Sequence, residues 1–301
     1  MLKNKKSPAC DGAMRNTQSH SAVSSENLQG VLALAGLPTS DPIIADGKLH
    51  RFHVSGDSPQ SLNGWYVFYS GDVAAGAFGC WKRGISKTWC SKSKNDMTYA
   101  ERQKYVYKIK KAQKEHEDEK LLCQSAAAMN ARAIWNASSP APDTHPYLVK
   151  KGVKSHGIRQ YKGNLVVPLR DGTGVLHSLQ FIDKQGRKKF LSGGRTKGCY
   201  FSMGIPAETL CVAEGYATAS SIYESTGYAV AVAFSCNNIK AVAEALRHKF
   251  PSTKIVICAD NDTKTEGNPG LTCAQKAATA INGFLAVPPC HGDFNDFVMG
   301  E

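Results

Sequence analysis

Leu210-Cys211-Val212-Ala213-Glu214-Gly215 and Ile255-Val256-Ile257-Cys258-Ala259-Asp260-Asn261-Asp262 are short apolar runs, and each ends on carboxylates. Apolar runs without polar alternation fit strands buried on both faces. A third such run is Ala229 to Phe234, and residues 216–226, 238–250 and 271–282 carry apolar residues at helical spacing. The order β-α-β-α-β-α over 206–301 predicts a parallel sheet covered by helices on both faces. Ligands of such sheets gather beyond the carboxyl ends of the strands. Here that rule selects Glu214, Asp260 and Asp262.

The rest of the 301-residue chain, 42% apolar, is long enough for about two domains. Residues 1–30 are rich in Ser, Asn, Gln and Lys, which predicts a mobile tail. Residues 31–95 read as a small β-rich module, with β-formers at Leu49 to Val54 and Gly64 to Tyr69 between turn residues. Trp65, Trp81 and Trp89 in it are either core or a stacking platform for bases. His50, His53, Cys80 and Cys90 match no common zinc spacing, so sheet packing is the expectation for them. Residues 97–136 lack Gly and Pro and read as one or two helices, opening a segment 96–205. Within it, Leu165 to Arg170 and Val175 to Ile182 are joined by Asp171-Gly172-Thr173-Gly174, a β-hairpin signature.

Charge is unevenly spread. The net charge is +12, yet residues 147–200 alone hold twelve Lys/Arg against two Asp, while residues 201–301 hold six Lys/Arg against ten Asp/Glu. A basic segment beside an acidic one suits an enzyme whose cations grip phosphates and whose carboxylates hold a metal; a solvated lysine face is the alternative. No run reaches the ~18 apolar residues of a membrane span, and the N-terminus lacks a signal-peptide core, so a cytoplasmic protein with no membrane partner is expected. Ten cysteines without a Cys-x-x-Cys spacing predict reduced thiols.

Asp260 and Asp262, two apart in extended chain, leave the same face and can share an ion. Hard carboxylate oxygens suit Mg²⁺ or Mn²⁺, which neutralise phosphate charge and orient an attacking hydroxyl in phosphoryl transfer. Gly215 lets backbone approach a phosphate. A later pair, Asp293 and Asp296 in Gly292-Asp293-Phe294-Asn295-Asp296-Phe297, either completes the metal site or caps a helix, with the second Asp three residues after the cap.

Glu214-Gly215-Tyr216-Ala217-Thr218-Ala219 resembles the EGYATA signature of TOPRIM-domain DNA primases of conjugative plasmids and satellite phages. Ala259-Asp260-Asn261-Asp262 and Asp293-Phe294-Asn295-Asp296 are similar to that family's later acidic motifs, in the same order. Val167 to Asp171 and Lys189 to Gly194 resemble the basic subdomain that precedes TOPRIM in bacterial-type primases, and His145 to Val153 resembles its opening. The resemblance implies an α/β fold: a Rossmann-like TOPRIM parallel sheet, a basic α+β primase subdomain before it, and the small β-rich module at the N-terminus. It implies synthesis of short RNA primers on single-stranded DNA from ribonucleoside triphosphates, with Mg²⁺ or Mn²⁺ and a separate helicase as partner.

On that resemblance Glu214, Asp260 and Asp262 are catalytic, and with Asp293 and Asp296 they are the metal ligands. Arg170, Lys188, Lys189, Gly193, Gly194, Arg195, Lys197 and Gly215 are then the template and nucleotide contacts. Cellular replicative primases carry an acidic residue four positions after the motif glutamate, where this chain has Thr218. That departure leaves the number of metals open. A TOPRIM nuclease and a non-catalytic single-strand-binding factor remain the rival readings.

Overall fold

A computed structural model describes residues 25–300, which gather into two compact units, one up to Glu119 and one from Lys120. The expected tail lies largely outside the described residues. Its last part does not: helix α1, Ser25–Leu34, begins inside it, because Leu28 and Leu32 recur at i, i+4 and both are buried.

The first unit is built on an antiparallel sheet in the order β1 (His50–Phe52), β2 (Gly64–Tyr69), β3 (Ala75–Cys80), β4 (Ile85–Cys90). On one face Phe52, Tyr66, Phe68 and Phe78 pack with Leu28 and Leu32 of α1. On the other, Trp65 is 1% exposed and stacks with His116 of helix α2, Tyr99–Asn136. Trp81 stacks on the same imidazole and Trp89 meets Phe68 edge-on, so the three tryptophans are packing residues here. His50 bonds Asp46, and His53 bonds the carbonyl of Ser61. Residues 97–136 thus give one helix.

The second unit begins with an antiparallel sheet in chain order: β5 (Ser139–Pro140), β6 (Arg159–Tyr161), β7 (Asn164–Arg170), β8 (Leu176–Ile182) and β9 (Lys188–Phe190). Helix α3, Pro146–Lys151, precedes β6; His145 caps it and Gly152 closes it at φ 61°. One sheet face, with Val166, Leu179 and Phe181, packs with Ala131, Ile134 and Trp135 of α2. The opposite face, with Leu165, Val167, Leu169 and Ile182, shares a core with the C-terminal sheet.

That last sheet runs β10 (Phe201–Met203), β12 (Ala229–Val232), β11 (Thr209–Ala213), β13 (Lys254–Cys258), β14 (Phe284–Ala286). All pairs are parallel except the β10 edge. The central runs 210–213, 229–232 and 255–258 are apolar because both faces are covered, whereas Phe284 and Leu285 of the β14 edge are exposed. Helices α5 (Cys236–Lys249) and α6 (Pro269–Ala280) bury Ile239, Val242, Ala274 and Ala277 on one side. Helices α4 (Tyr216–Thr226) and α7 (Phe294–Met299) bury Tyr216, Ala219, Ile222 and Phe294 on the other. The crossovers place the N-termini of α4, α5 and α6 just past the carboxyl ends of the strands. Among the described residues every cysteine is a free thiol, and no helix is long and apolar enough to cross a membrane.

Candidate active site

β11 and β13 are neighbours in parallel register, with Val212 opposite Ile257, so their carboxyl ends deliver Glu214 and Asp260 side by side. Both acids are partly sheltered. Burial, and then the nearby Asp262 and Asp293 carboxylates, push the Glu214 carboxyl above its ordinary value. Burial, then Glu214, Asp293 and Asp262, push Asp260 up to about 7. Asp260 Oδ1 is buried with no hydrogen-bond partner. A buried oxygen without a donor, inside mutually repelling carboxylates, calls for a cation, and the all-oxygen donor set suits a hard divalent one. Among the described residues no three His, Cys, Asp or Glu side chains converge closely enough to encircle one ion.

The chain after β13 is shaped by two asparagines. Asn261 exchanges backbone bonds with Gly292, and its side chain donates to the carbonyls of Pro288 and Cys290. Asn268 caps α6: its Oδ1 accepts from the amide of Asp262 at 2.9 Å and of Leu271 at 3.4 Å, while its Nδ2 donates to Asn261 Oδ1. Asn268 holds a left-handed backbone, φ 39°, which Asn tolerates better than most residues. Gly270 closes the other side. A β-carbon there would lie 2.7 Å from the Asp260 carbonyl and 2.9 Å from Asp262 Oδ2, so only glycine fits beneath the two acids. Asp260 and Asp262 thereby face the same helix turn.

Gly215 is the first residue of the turn into α4 and offers no side-chain cap. A β-carbon on it would lie 3.2 Å from Thr218 Oγ1 and 3.7 Å from Lys188 Nζ. Lys188 belongs to β9, opposite Ile182, on the sheet face that shares its core with the C-terminal sheet. Its ammonium lies close enough to pull the Glu214 and Asp260 values back down. Two residues on, Phe190 meets Phe234 edge-on at 6.2 Å. Phe234, at φ 70°, donates its amide to the Glu214 carbonyl. The strand therefore docks against the site through alternate residues. Lys189 pairs with Phe181 and faces the opposite side, beside Asn164, Asp183 and Arg187.

The other expected contacts are placed differently. Arg170 spends Nη1 on the Gly174 carbonyl of its own hairpin turn and lies 5.8 Å from the Trp135 ring centre. Gly194 donates its amide to Leu191 and packs on Ser178, and Gly193, at φ 74°, packs on Cys123 and Ala127. Arg195 Nε donates to the Lys197 carbonyl, and Lys197 itself is exposed. The loop carrying them is pinned by Asn238, 5% exposed, whose Nδ2 donates to the carbonyls of Thr196, Cys199 and Ala233 while its Oδ1 accepts from Gly198. Nothing in the local sequence distinguishes Asn238 from any helix N-terminal asparagine; its partners are 39 or more residues away except Ala233.

Asp293 and Asp296 form a reciprocal cap on α7: Asp293 accepts from the amides of Asn295 and Asp296, and Asp296 accepts from the amide of Asp293. The helix-cap alternative for this pair is therefore what the structure shows locally. Asp293 still lies near enough to raise Glu214 and Asp260, whereas Asp296 pairs with Lys151 Nζ at 3.0 Å.

Residues 209–301 match the Toprim domain family. Over 270 residues, 83% of this chain, the sequence is 31% identical to a DNA primase TraC of Escherichia coli, 25% of whose length is matched. A second DNA primase TraC of Escherichia coli is 33% identical over 82% of this chain and 18% of its own length. The chain thus spans a quarter or less of the curated relatives it matches. Among solved structures it is similar to the primase fragment of the bacteriophage T7 primase-helicase protein, with 19% identity and a TM-score of 0.38 over 54% of this chain and 69% of that one.

Proposed function

We propose, from the premise that residues 209–301 form a Toprim domain, that the chain is a DNA primase which joins ribonucleotides on a single-stranded DNA template. The observation that carries this reading is Lys188 of the basic hairpin sheet reaching into the pocket of Glu214, Asp260 and Asp262. A carboxylate cluster alone serves many phosphoryl-transfer reactions. An ammonium beside it supplies a grip on the phosphates of a nucleotide, and its strand belongs to the segment of net charge +10 expected to follow the template.

Glu214, Asp260 and Asp262 would hold Mg²⁺ or Mn²⁺, which when bound neutralises phosphate charge and lowers the barrier to attack by the primer hydroxyl. Lys188 neutralises one phosphate charge of the incoming ribonucleoside triphosphate. Gly215, without a side chain, leaves room for that phosphate at the α4 N-terminus, where backbone amides point outward. Glu214, raised above its ordinary value, accepts the proton of the attacking hydroxyl when ionised. Lys197 and Lys189, both exposed, are available to template phosphates on either side.

The test is direct: single-stranded DNA, labelled ribonucleotides and Mg²⁺ or Mn²⁺ are incubated with the parent chain and with Asp260→Ala. Short template-dependent RNA from the parent alone is the expected result. Shortened DNA without synthesis would identify a nuclease instead, and retarded DNA with neither product a binding factor.

A further inference from the structure

Every carboxylate oxygen of Asp293 and Asp296 already has a donor from the protein, while Asn295 Oδ1 between them is buried without one. Asp293 Oδ1 accepts from the amides of Asn295 and Asp296 at 2.7 and 3.1 Å, and its Oδ2 accepts from Thr218 Oγ1 at 2.7 Å. Asp296 Oδ2 accepts from the Asp293 amide, and its Oδ1 from Lys151 Nζ. Between them Asn295, fully buried, donates through Nδ2 to the Lys151 carbonyl at 2.8 Å and to Ser221 Oγ at 2.9 Å. Gly152 lies directly against Met299, where a β-carbon would come within 2.7 Å of Sδ. These contacts tie α7 to α3 on one side and to α4 on the other. Asp260 Oδ1 makes the contrast: it is just as sheltered and has no donor.

Thr218 is the residue that links this motif to the site. It stands in the first turn of α4, four positions after Glu214, and is 1% exposed. At that depth a carboxylate beside Glu214 and Asp260 needs a compensating partner, either a donor or a cation. The threonine hydroxyl supplies the donor, and a β-branched side chain on a helix has few rotamers through which to withdraw it.

We propose that Asp293-Phe294-Asn295-Asp296 is a clamp rather than a set of metal ligands. Thr218 is then the positioning residue that holds the Asp293 carboxylate beside the pocket, where a second cation would otherwise be required. The clamp fixes α3, which opens the basic subdomain, to α4, which carries Gly215 and follows Glu214. It rests on the reading above only in taking Glu214, Asp260 and Asp262 as the metal site.

Two measurements on the full chain test this: the number of bound Mn²⁺ ions counted by electron paramagnetic resonance, and thermal melting without added cation. Asp293→Asn keeps the Oδ1 acceptor for the cap and presents an amide NH2 to Thr218 Oγ1, from which the hydroxyl accepts instead of donating, so it removes the anionic ligand and keeps the clamp, and it is expected to bind as many Mn²⁺ as the parent. Asp293→Ala and Thr218→Val are expected to melt about 3–6 °C lower, as loss of a cap does. Their combination is expected to melt no lower than Asp293→Ala alone, because that variant already removes the acceptor of the Thr218 hydroxyl. Thr218→Ser restores most of the loss. Thr218→Asp, which places a second carboxylate against Asp293, is expected to gain one Mn²⁺, a readout that a purely structural threonine would not move.

A Mn²⁺ count lowered by one in Asp293→Asn overturns the clamp, as do additive melting losses. Thr218→Asp binding no extra ion overturns the part assigned to Thr218. Asp260→Asn that keeps every Mn²⁺, with the other results as expected, leaves the clamp standing and removes the metal-site assignment instead.

Discussion

Lys188 Nζ stands 3.7 Å from the point where a β-carbon on Gly215 would be, so a strand of the basic sheet and the first turn of α4 meet at the acidic pocket. Thr218 Oγ1 closes the same space at 3.2 Å. The backbone at Gly215 is extended, φ −98°, and poses no obstacle to a side chain. The glycine is required for space, not for conformation.

Gly215→Ala is therefore expected to fold normally and to lose primer synthesis by about tenfold, since displacements under 1 Å at a reacting centre can cost up to a hundredfold. Circular dichroism with a steady-state synthesis assay checks both halves. Full activity in the alanine variant would show that Lys188 and Thr218 relax without consequence.

Adjacent lysines on β9 should behave unequally, because successive strand residues face opposite sides. Lys188→Ala removes an ammonium whose charge favours the ionised forms of Glu214 and Asp260. Synthesis should fall by about ten- to a hundredfold, with the acid limb of its pH profile moved to higher pH. Lys189→Ala, on the other face, should leave that limb where it is and weaken template binding by less than about 1.4 kcal/mol, with reduced salt dependence. Equal effects of both substitutions on the pH profile would contradict the strand orientation.

The parallel sheet and the position of its acids were legible because strands buried on both faces read as unbroken apolar runs, and Glu214, Asp260 and Asp262 sit at their ends. The helix over 216–226 is found where its spacing predicts it. What local pattern missed is what depends on partners far away in sequence: Asn238 under the 196–199 loop, Gly270 beneath Asp260, Thr218 against Asp293. Arg170 reads as a template contact because it belongs to the basic hairpin, and the fold adds that its Nη1 bonds the Gly174 carbonyl while its guanidinium lies 5.8 Å from the Trp135 ring centre. Asn268 was within reach. Asn followed by Pro269 is a helix-start signal, with the cap and then proline at the first helical position, and it places the start of α6 two residues before the apolar pattern at 271 does.

Asn268 also sets Asp262, by accepting its backbone amide. Asn268→Gly keeps the left-handed backbone and loses the side-chain acceptor, whereas Asn268→Ala loses the acceptor and strains φ 39° as well. Both should weaken Mn²⁺ binding through Asp262. The alanine variant should be less stable than the glycine variant by about 1 kcal/mol. Urea denaturation and Mn²⁺ titration of the two variants check the order, and alanine being the more stable would refute the role given to the backbone.

Gly270→Ala should be the most damaging substitution on this edge of the site. Its β-carbon meets the Asp260 carbonyl at 2.7 Å, backbone that cannot swing aside, together with the Asp262 carboxylate. Overpacking of this kind costs about 1–3 kcal/mol. The loop from Asp260 to Asp262 is expected to move outward, and with it the capacity to bind Mn²⁺. Unchanged binding would mean that α6 shifts and the acids stay.

The pH behaviour of the metal-free chain follows from Asp260, whose ordinary value of 3.8 is pushed up to about 7 by burial first and then by Glu214, Asp293 and Asp262. Between those two values the folded chain holds a proton that the unfolded chain has released. Stability from this group is therefore complete below pH 4 and is lost as pH rises through 7. The upper bound of the loss is about 4 kcal/mol, less whatever solvent relaxes. Asp260→Asn cannot ionise, so its melting temperature should exceed the parent's by about 5–10 °C at pH 8 and converge with it near pH 4. Divalent cation should reverse the order at pH 8 by stabilising only the parent, because it binds the ionised carboxylates of the folded chain. An Asp260→Asn variant that melts below the metal-free parent at pH 8 would show that the carboxylate is held by donors rather than strained by its neighbours.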